Sequence, residues 1–135
     1  MITGLAKVTV RFAETDAMGV VYHANYLPWF ECARLDLISN VGLSYEKLIA
    51  EGYHLPVVEA HVNYKYPARF NDSVEIRAAI KERPTVKMKV EYEARCDGRL
   101  LVSGHTVHVF VDTEGRPVKP PKEWAQKLSK NFGKC

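Results

Sequence analysis

The chain has 135 residues, 47% of them hydrophobic and 26% charged, which suits one globular domain with its own core. Its net charge of +3 is too small to indicate a nucleic-acid-binding protein, although clustered cations would suit a small polyanion. The three cysteines are far apart and lack metal-ligand spacing, so we expect reduced thiols and no metal. Because neither a leader-like segment nor a membrane-spanning hydrophobic run is present, we expect a cytoplasmic protein.

The first predicted strand covers residues 7–12. Val8, Val10 and Phe12 alternate with polar residues, which is typical of a strand with one buried face. A loop carrying Asp16 and Gly19 follows and leads into a helix. A carboxylate opposite the unpaired N–H groups of a helix start can hydrolyse an activated carbonyl, either by attacking it or by making water attack.

A hydrophobic helix is predicted over residues 25–40, with Asn25 as its N-cap. Pro28 falls in the first turn, where its missing N–H has no helical partner. Hydrophobic residues also lie off the main stripe, so we expect most of the helix surface to be buried. The stripe consists of Tyr26, Phe30, Ala33, Leu37 and Val41. A short second helix, capped by Ser44, is predicted before Gly52.

Strand patterns dominate the rest of the chain. Residues 58–66, 74–80 and 86–94 each alternate with one hydrophobic face, and Asp97-Gly98 predicts a two-residue hairpin turn. Residues 100–111 are hydrophobic on both faces, so this strand should be central or covered twice.

An amphipathic tail helix is predicted over about residues 122–132. The element order predicts an α+β fold in which one antiparallel sheet carries a long helix on one face. We expect a single domain over residues 1–135.

The loop and helix together resemble a known family signature. The motif reads Asp16-x-x-Gly19-x-Val21-Tyr22-His23-x-Asn25-Tyr26, followed by Phe30-Glu31-x-Ala33-Arg34. It is similar to that of the 4-hydroxybenzoyl-CoA thioesterase group of hotdog-fold proteins, and closest to the YbgC-type acyl-CoA thioesterases. The resemblance covers nearly the whole chain. It implies a curved antiparallel sheet wrapped around a long central helix, a dimer that joins two sheets edge to edge, and often a dimer of dimers.

The same resemblance implies a mechanism without a cofactor or metal. Asp16 would be the nucleophile or the general base, two roles that need the same carboxylate position. Its other interpretation is a loop aspartate that makes an Asx-turn before Gly19. The backbone N–H of His23 would be the oxyanion donor, whereas a capping or packing role is the alternative. Tyr22 and Asn25 are weaker candidates for substrate binding.

Three residues around the turn at Pro84 are candidates for binding the nucleotide and phosphates of CoA. The resemblance implies this role for Arg83, Thr85 and Lys87, and a solvated strand face is the alternative. Glu31 and Arg34 are spaced to form a pair that satisfies buried charge, although Glu31 could instead be a second catalytic acid.

The sequence therefore predicts an acyl-CoA thioesterase acting on an acyl-CoA substrate. A hotdog dehydratase that pairs His23 with Glu31 is a second interpretation, and a non-catalytic acyl-binding or assembly module is a third. The acyl group stays open, because the aromatic residues near the loop suit an aromatic or an aliphatic pocket.

Overall fold

The computed structural model describes residues 1–132, so Cys135 lies outside the described residues. Two short 3-10 turns, at Phe12–Glu14 and His23–Asn25, flank the Asp16 loop. The other elements, in chain order, are β1 (Ile2–Thr9), α1 (Tyr26–Asn40), α2 (Tyr45–Ala50), β2 (Val57–Tyr64), β3 (Ser73–Ile80), β4 (Lys87–Cys96), β5 (Arg99–Val109) and α3 (Lys122–Ser129).

The five strands form one sheet in the order β1-β3-β4-β5-β2, and all neighbours are antiparallel. This confirms the predicted α+β arrangement of one sheet and one long helix. The turn at Asp97-Gly98 joins β4 directly to β5, as predicted. The strand β5 lies between β4 and β2, which confirms that it does not form an edge.

The strand β2 forms a free edge and is exposed along most of its length. Val57, Val58 and Tyr64 are 48%, 57% and 47% exposed. The predicted strand and its alternation are present, but its hydrophobic face is largely exposed within one protomer. Only part of this face meets the same chain, since Val62 packs partly against the core and the Tyr64 ring lies 5.8 Å from the Tyr26 ring of α1, measured between centroids.

The helix α1 packs against the sheet through Phe30, Ala33 and Leu37, which are fully buried. Its outer face is exposed, with Leu27 and Leu35 at 39% and 45%, so the prediction of near-complete burial is wrong. The inner face lies unusually close to β1. A β-carbon at Gly4 would overlap the backbone of α1, so only glycine permits this approach.

The first strand differs from its predicted bounds. It runs from Ile2 to Thr9 and pairs with β3, whereas Phe12 belongs to a 3-10 turn and is 75% exposed. Val10 is buried just after the strand. Gly4 has no side chain that would mark the buried face, so the alternation of hydrophobic and polar residues does not show where the strand begins.

The tail helix α3 packs against the core through one face. Trp124 and Leu128 are buried, and Trp124 makes edge-on ring contacts with Tyr45 and Phe110. The helix ends at Ser129, a few residues earlier than predicted.

Candidate active site

The Asp16 loop is a tight turn in which one carboxylate oxygen accepts a backbone hydrogen bond. Oδ1 of Asp16 accepts a hydrogen bond from the Met18 N–H at 2.9 Å, and the Asp16 carbonyl accepts one from the Gly19 N–H at 2.9 Å. Gly19 has φ +78°, which favours glycine. The Asx-turn is thus present, but within residues 1–132 nothing donates to Oδ2 of Asp16.

His23 begins the 3-10 turn that runs directly into α1. As the first residue of that turn, it has an N–H without an acceptor inside the helix. Its carbonyl accepts a hydrogen bond from the Tyr64 hydroxyl at 2.9 Å, which ties the end of β2 to the loop. The exposed Tyr22 ring lies 4.5 Å from the His23 ring, measured between centroids.

Glu14 holds the loop against α1, a role that was not predicted. Its carbonyl accepts from the Tyr22 N–H at 2.9 Å and from Nδ2 of Asn25 at 2.8 Å. Its carboxylate accepts from the Arg11 N–H at 2.8 Å and from the Trp29 indole at 3.0 Å. The partners on α1 are far along the chain, so no local pattern could have identified them.

Asn25 therefore has a different role from the predicted one. It precedes α1, but its side chain makes no capping hydrogen bond and instead fastens the loop through Glu14. Burial alone would raise the pKa of Glu14, but hydrogen bonds from Arg11 and Trp29 outweigh it and lower that pKa. Glu14 is thus held as a carboxylate that accepts these bonds.

Asp16 and His23 line the same pocket, which has a volume of about 430 Å³. Burial raises the pKa of Tyr26 to about 12, so its hydroxyl stays neutral. The size is within the range of small-molecule sites. The remaining lining residues are Met18, Val20, Val21, Tyr64, Lys65, Tyr66, Pro67 and Arg69.

The predicted phosphate-binding residues lie at the other end of the sheet. Lys87 pairs with Val109 on β5, whereas Tyr64 in the pocket pairs with Val102. Val102 and Val109 are seven residues apart, about 23 Å at the usual strand rise. Arg83 and Thr85, in the connection before β4, are likewise absent from the pocket lining of the described chain.

Arg34 takes part in a buried polar chain and not in the predicted pair with Glu31. Glu31 is exposed, and within residues 1–132 it forms no ion pair. Nη1 of Arg34 donates to the Tyr92 hydroxyl at 3.0 Å. That hydroxyl lies 2.6 Å from Oγ1 of Thr106, which in turn lies 2.8 Å from Nε2 of His108.

The buried chain keeps His108 neutral. Burial, and then the charge of Arg34, lower the pKa of His108 to about 4. The imidazole is 1% exposed, so it belongs to the core.

The described residues contain no arrangement of three or more His, Cys, Asp or Glu side chains that would hold a metal ion. Over the same residues, no helix is long and hydrophobic enough to cross a membrane. A second hollow of about 460 Å³ lies on the open face of the sheet, between Arg77, Glu91 and His105. It contains no residue of the Asp16 loop, so the pocket beside Asp16 is the candidate active site.

Comparison with known proteins identifies the class to which this fold and loop belong. Residues 10–128 match the model of the thioesterase-like superfamily. The chain belongs to this superfamily and has its hotdog fold, as the sequence predicted.

Individual relatives make the likeness more specific. The chain is 34% identical over 115 residues to the putative acyl-CoA thioesterase YneP of Bacillus subtilis, covering 84% of this chain and 83% of that protein. It is 34% identical over 106 residues to the acyl-CoA thioester hydrolase YbgC of Escherichia coli, covering 78% and 79%. The DHNA-CoA thioesterase from Staphylococcus aureus superposes with a TM-score of 0.91 at 32% identity, covering 100% of this chain and 97% of that one.

Proposed function

We propose that this protein hydrolyses the thioester of an acyl-CoA to a free acid and CoA, with Asp16 as nucleophile or general base. The observation that carries the proposal is that Asp16 and His23 face one pocket, with the carboxylate beside the start of a helix. The named thioesterases among its relatives support the reaction class.

The reaction needs a nucleophile at the acyl carbon and a donor for the oxygen that becomes negative. Either Oδ2 of Asp16 adds to the carbon, or it removes a proton from a water that adds. The N–H of His23, which has no acceptor within its helix, stabilises the oxyanion. The carbon–sulfur bond then breaks, and CoA leaves as a thiolate that takes up a proton. When water is the attacking group, this step gives the free acid directly. When Asp16 is the attacking group, a water then hydrolyses the mixed anhydride between the acyl group and Asp16, which releases the acid and restores the carboxylate.

The free edge of β2 supports a homodimer, in which two sheets join edge to edge. The Val57 end of β2 lies near Lys87, and the Tyr64 end lines the pocket. Antiparallel pairing about a two-fold axis would place the Lys87 end of the partner subunit next to the Asp16 pocket. Phosphate contacts from Arg83, Thr85 and Lys87 would then reach the CoA of the other protomer, and further pairing would give a dimer of dimers.

Sedimentation velocity tests this assembly. We expect a dimer or tetramer, and a Val58→Asp change on the exposed edge should shift the protein toward monomer and lower activity with it. A wild-type protein that sediments as an active 15.3 kDa monomer would contradict the shared site.

Two other functions make different use of the same residues. A dehydratase would need His23 and Glu31 at one site, but Glu31 is exposed and does not line the pocket of the described chain. A non-catalytic acyl-binding or assembly module would keep the pocket without turnover. Free thiols at Cys32 and Cys96 support a reducing compartment, and we propose the cytoplasm.

A panel of acyl-CoA thioesters with a thiol reagent distinguishes these functions. The thioesterase releases CoA, and Asp16→Asn abolishes the release. Asp97→Asn is the matched control, since it makes the same change in an exposed hairpin turn far along the chain. Hydration of an enoyl-CoA would favour the dehydratase, and no reaction with any thioester would favour the binding module.

A further inference from the structure

Three cations surround the pocket that contains Asp16. Lys65 and Arg69 line it directly. Arg99 stacks on Tyr66, one of the lining residues, with its guanidinium carbon 3.5 Å from the centroid of the Tyr66 ring. Among the described residues that line the pocket, Asp16 is the only carboxylate. The lining therefore carries two cationic side chains, Lys65 and Arg69, against one carboxylate.

The two lining cations have no acidic partner within residues 1–132. Other arginines of the sheet and its turns do, since Arg77 lies 3.7 Å from Glu75 and Arg95 lies 3.3 Å from Glu93. Arg69 also lies over the Asp16 turn, because its Nη1 is 4.0 Å from the position that a β-carbon on Gly19 would occupy. Its guanidinium is thus free to bind a ligand at the catalytic loop.

We infer that the pocket prefers an acyl group that carries a carboxylate, and that Arg69, assisted by Lys65, binds this carboxylate. The inference rests on the proposed thioesterase function and names its substrate class. The phosphates of CoA are separated from the thioester sulfur by the long pantetheine arm. An anion held beside Asp16 therefore belongs to the acyl group and not to the nucleotide.

The charge of the pocket selects a carboxylate among acyl substituents. A phenol is neutral at pH 7 because its pKa is about 10, and an alkyl chain has no charge. A carboxylate is ionised and fits the fork of a guanidinium. Asp16 would repel such a substrate, and the two cations offset that repulsion.

The test compares thioesters of equal chain length that differ only in the terminal carboxylate. Adipoyl and hexanoyl groups are each presented on CoA and on N-acetylcysteamine, which lacks phosphates. We expect kcat/KM to favour adipoyl on both carriers. A charge-assisted contact suggests a preference of about tenfold.

Single-residue variants identify the side chains that cause the preference for adipoyl. Arg69→Gln should remove it, by lowering kcat/KM for adipoyl more than for hexanoyl, whereas Arg69→Lys should retain part of it. Arg77→Gln, on the open face of the sheet, is the matched control and should retain all of it. If Arg69→Gln does not fold, Lys65→Gln should reduce the preference in the same direction.

The outcomes separate this inference from the proposed function. Equal hydrolysis of adipoyl and hexanoyl thioesters by the wild type would overturn the inference and leave the thioesterase intact. Loss in Arg69→Gln on CoA alone, for both acyl groups, would show that Arg69 binds a carrier phosphate and would also overturn it. If the wild type hydrolyses no thioester, the proposed thioesterase function is wrong. The inference is then tested by calorimetry: Asp16→Asn should bind adipoyl-CoA more tightly than hexanoyl-CoA, and equal binding would overturn it.

Discussion

The Asp16 loop and the buried chain of hydrogen bonds from Arg34 to His108 are both built from polar residues. They differ in how many of their polar groups have hydrogen-bond partners. In the loop, hydrogen bonds hold the backbone and Glu14, while Oδ2 of Asp16 has no donor within residues 1–132. In the core, Tyr92, Thr106 and His108 bind one another. Within residues 1–132 the loop leaves one carboxylate oxygen without a donor, whereas the buried chain pairs both hydroxyls and the imidazole, and among its members Nε of Arg34 alone is buried without a partner.

The difference follows from the cost of burying polar groups. A buried donor or acceptor without a partner costs more than an exposed one, so a core chain must pair nearly all of its members. A pocket open to solvent has no such requirement. We therefore expect substitutions in the loop to affect catalysis more than stability. Substitutions in the buried hydrogen-bonded chain should affect stability more than catalysis.

The largest expected effect is on catalysis, in Asp16→Asn. Removing a general base or nucleophile should lower kcat by about 10²–10⁴-fold, or roughly 3–5 kcal/mol of barrier. The melting temperature should hardly change, because the change is isosteric and lies in a loop. Steady-state kinetics and thermal melting measure the two quantities. Retention of more than about a tenth of wild-type kcat, a barrier change below ~1.4 kcal/mol, would remove Asp16 from the centre of the mechanism.

The next largest effect is expected in the pH dependence of stability, and it arises from the titration of His108. Between about pH 4 and 6.5 this histidine is neutral when folded and protonated when unfolded. The unfolded state then binds more protons, so the free energy of unfolding falls as the pH falls through this window. The loss is on the order of 3 kcal/mol.

Urea denaturation from pH 7 to pH 4 checks this value. His108→Gln should show a shallower decline, because an amide does not titrate. Parallel curves for the wild type and the variant would show that His108 is not kept neutral by the fold.

Tyr92→Phe should lower stability by about 1–3 kcal/mol, because it removes the hydroxyl that lies between Arg34 and Thr106. The values of kcat and KM should change little, since Tyr92 does not line the Asp16 pocket in the described chain. Chemical denaturation and kinetics on one preparation test both expectations. A variant with normal stability but low kcat would mean that the chain acts on the site.

The smallest of the expected effects is a loss of stability of about 1 kcal/mol in Glu14→Gln, because neutral hydrogen bonds to Arg11 and Trp29 replace charge-assisted ones. Since the pKa of Glu14 is lowered on folding, its contribution is present above the ordinary glutamate pKa and is lost as the pH falls through the lowered value. Acid denaturation should therefore be shallower in the variant. A steeper acid transition would contradict the anchoring role.

Local patterns in the sequence were sufficient for several elements. The spacing of Phe30, Ala33 and Leu37 predicted the buried face of α1, and Asp97-Gly98 predicted the hairpin. The Asp16 motif indicated the family, because its residues lie close together along the chain. These features depend on helix periodicity, turn geometry and short-range spacing, which a sequence displays directly.

The tertiary structure decided which surfaces and partners these elements meet. The alternation in β2 is real, yet most of the strand is exposed within one protomer, and only the strand order reveals that it forms an edge of the sheet. Arg34 was expected to pair with Glu31 three residues away, but it bonds to Tyr92, 58 residues along the chain. The sequence by itself determined the helix, the hairpin and the Asp16 motif that indicates the family, because each depends on neighbours along the chain. Only the folded structure decided that Glu14 anchors the loop and that Arg69 lies over it, because both contacts join residues brought together by packing.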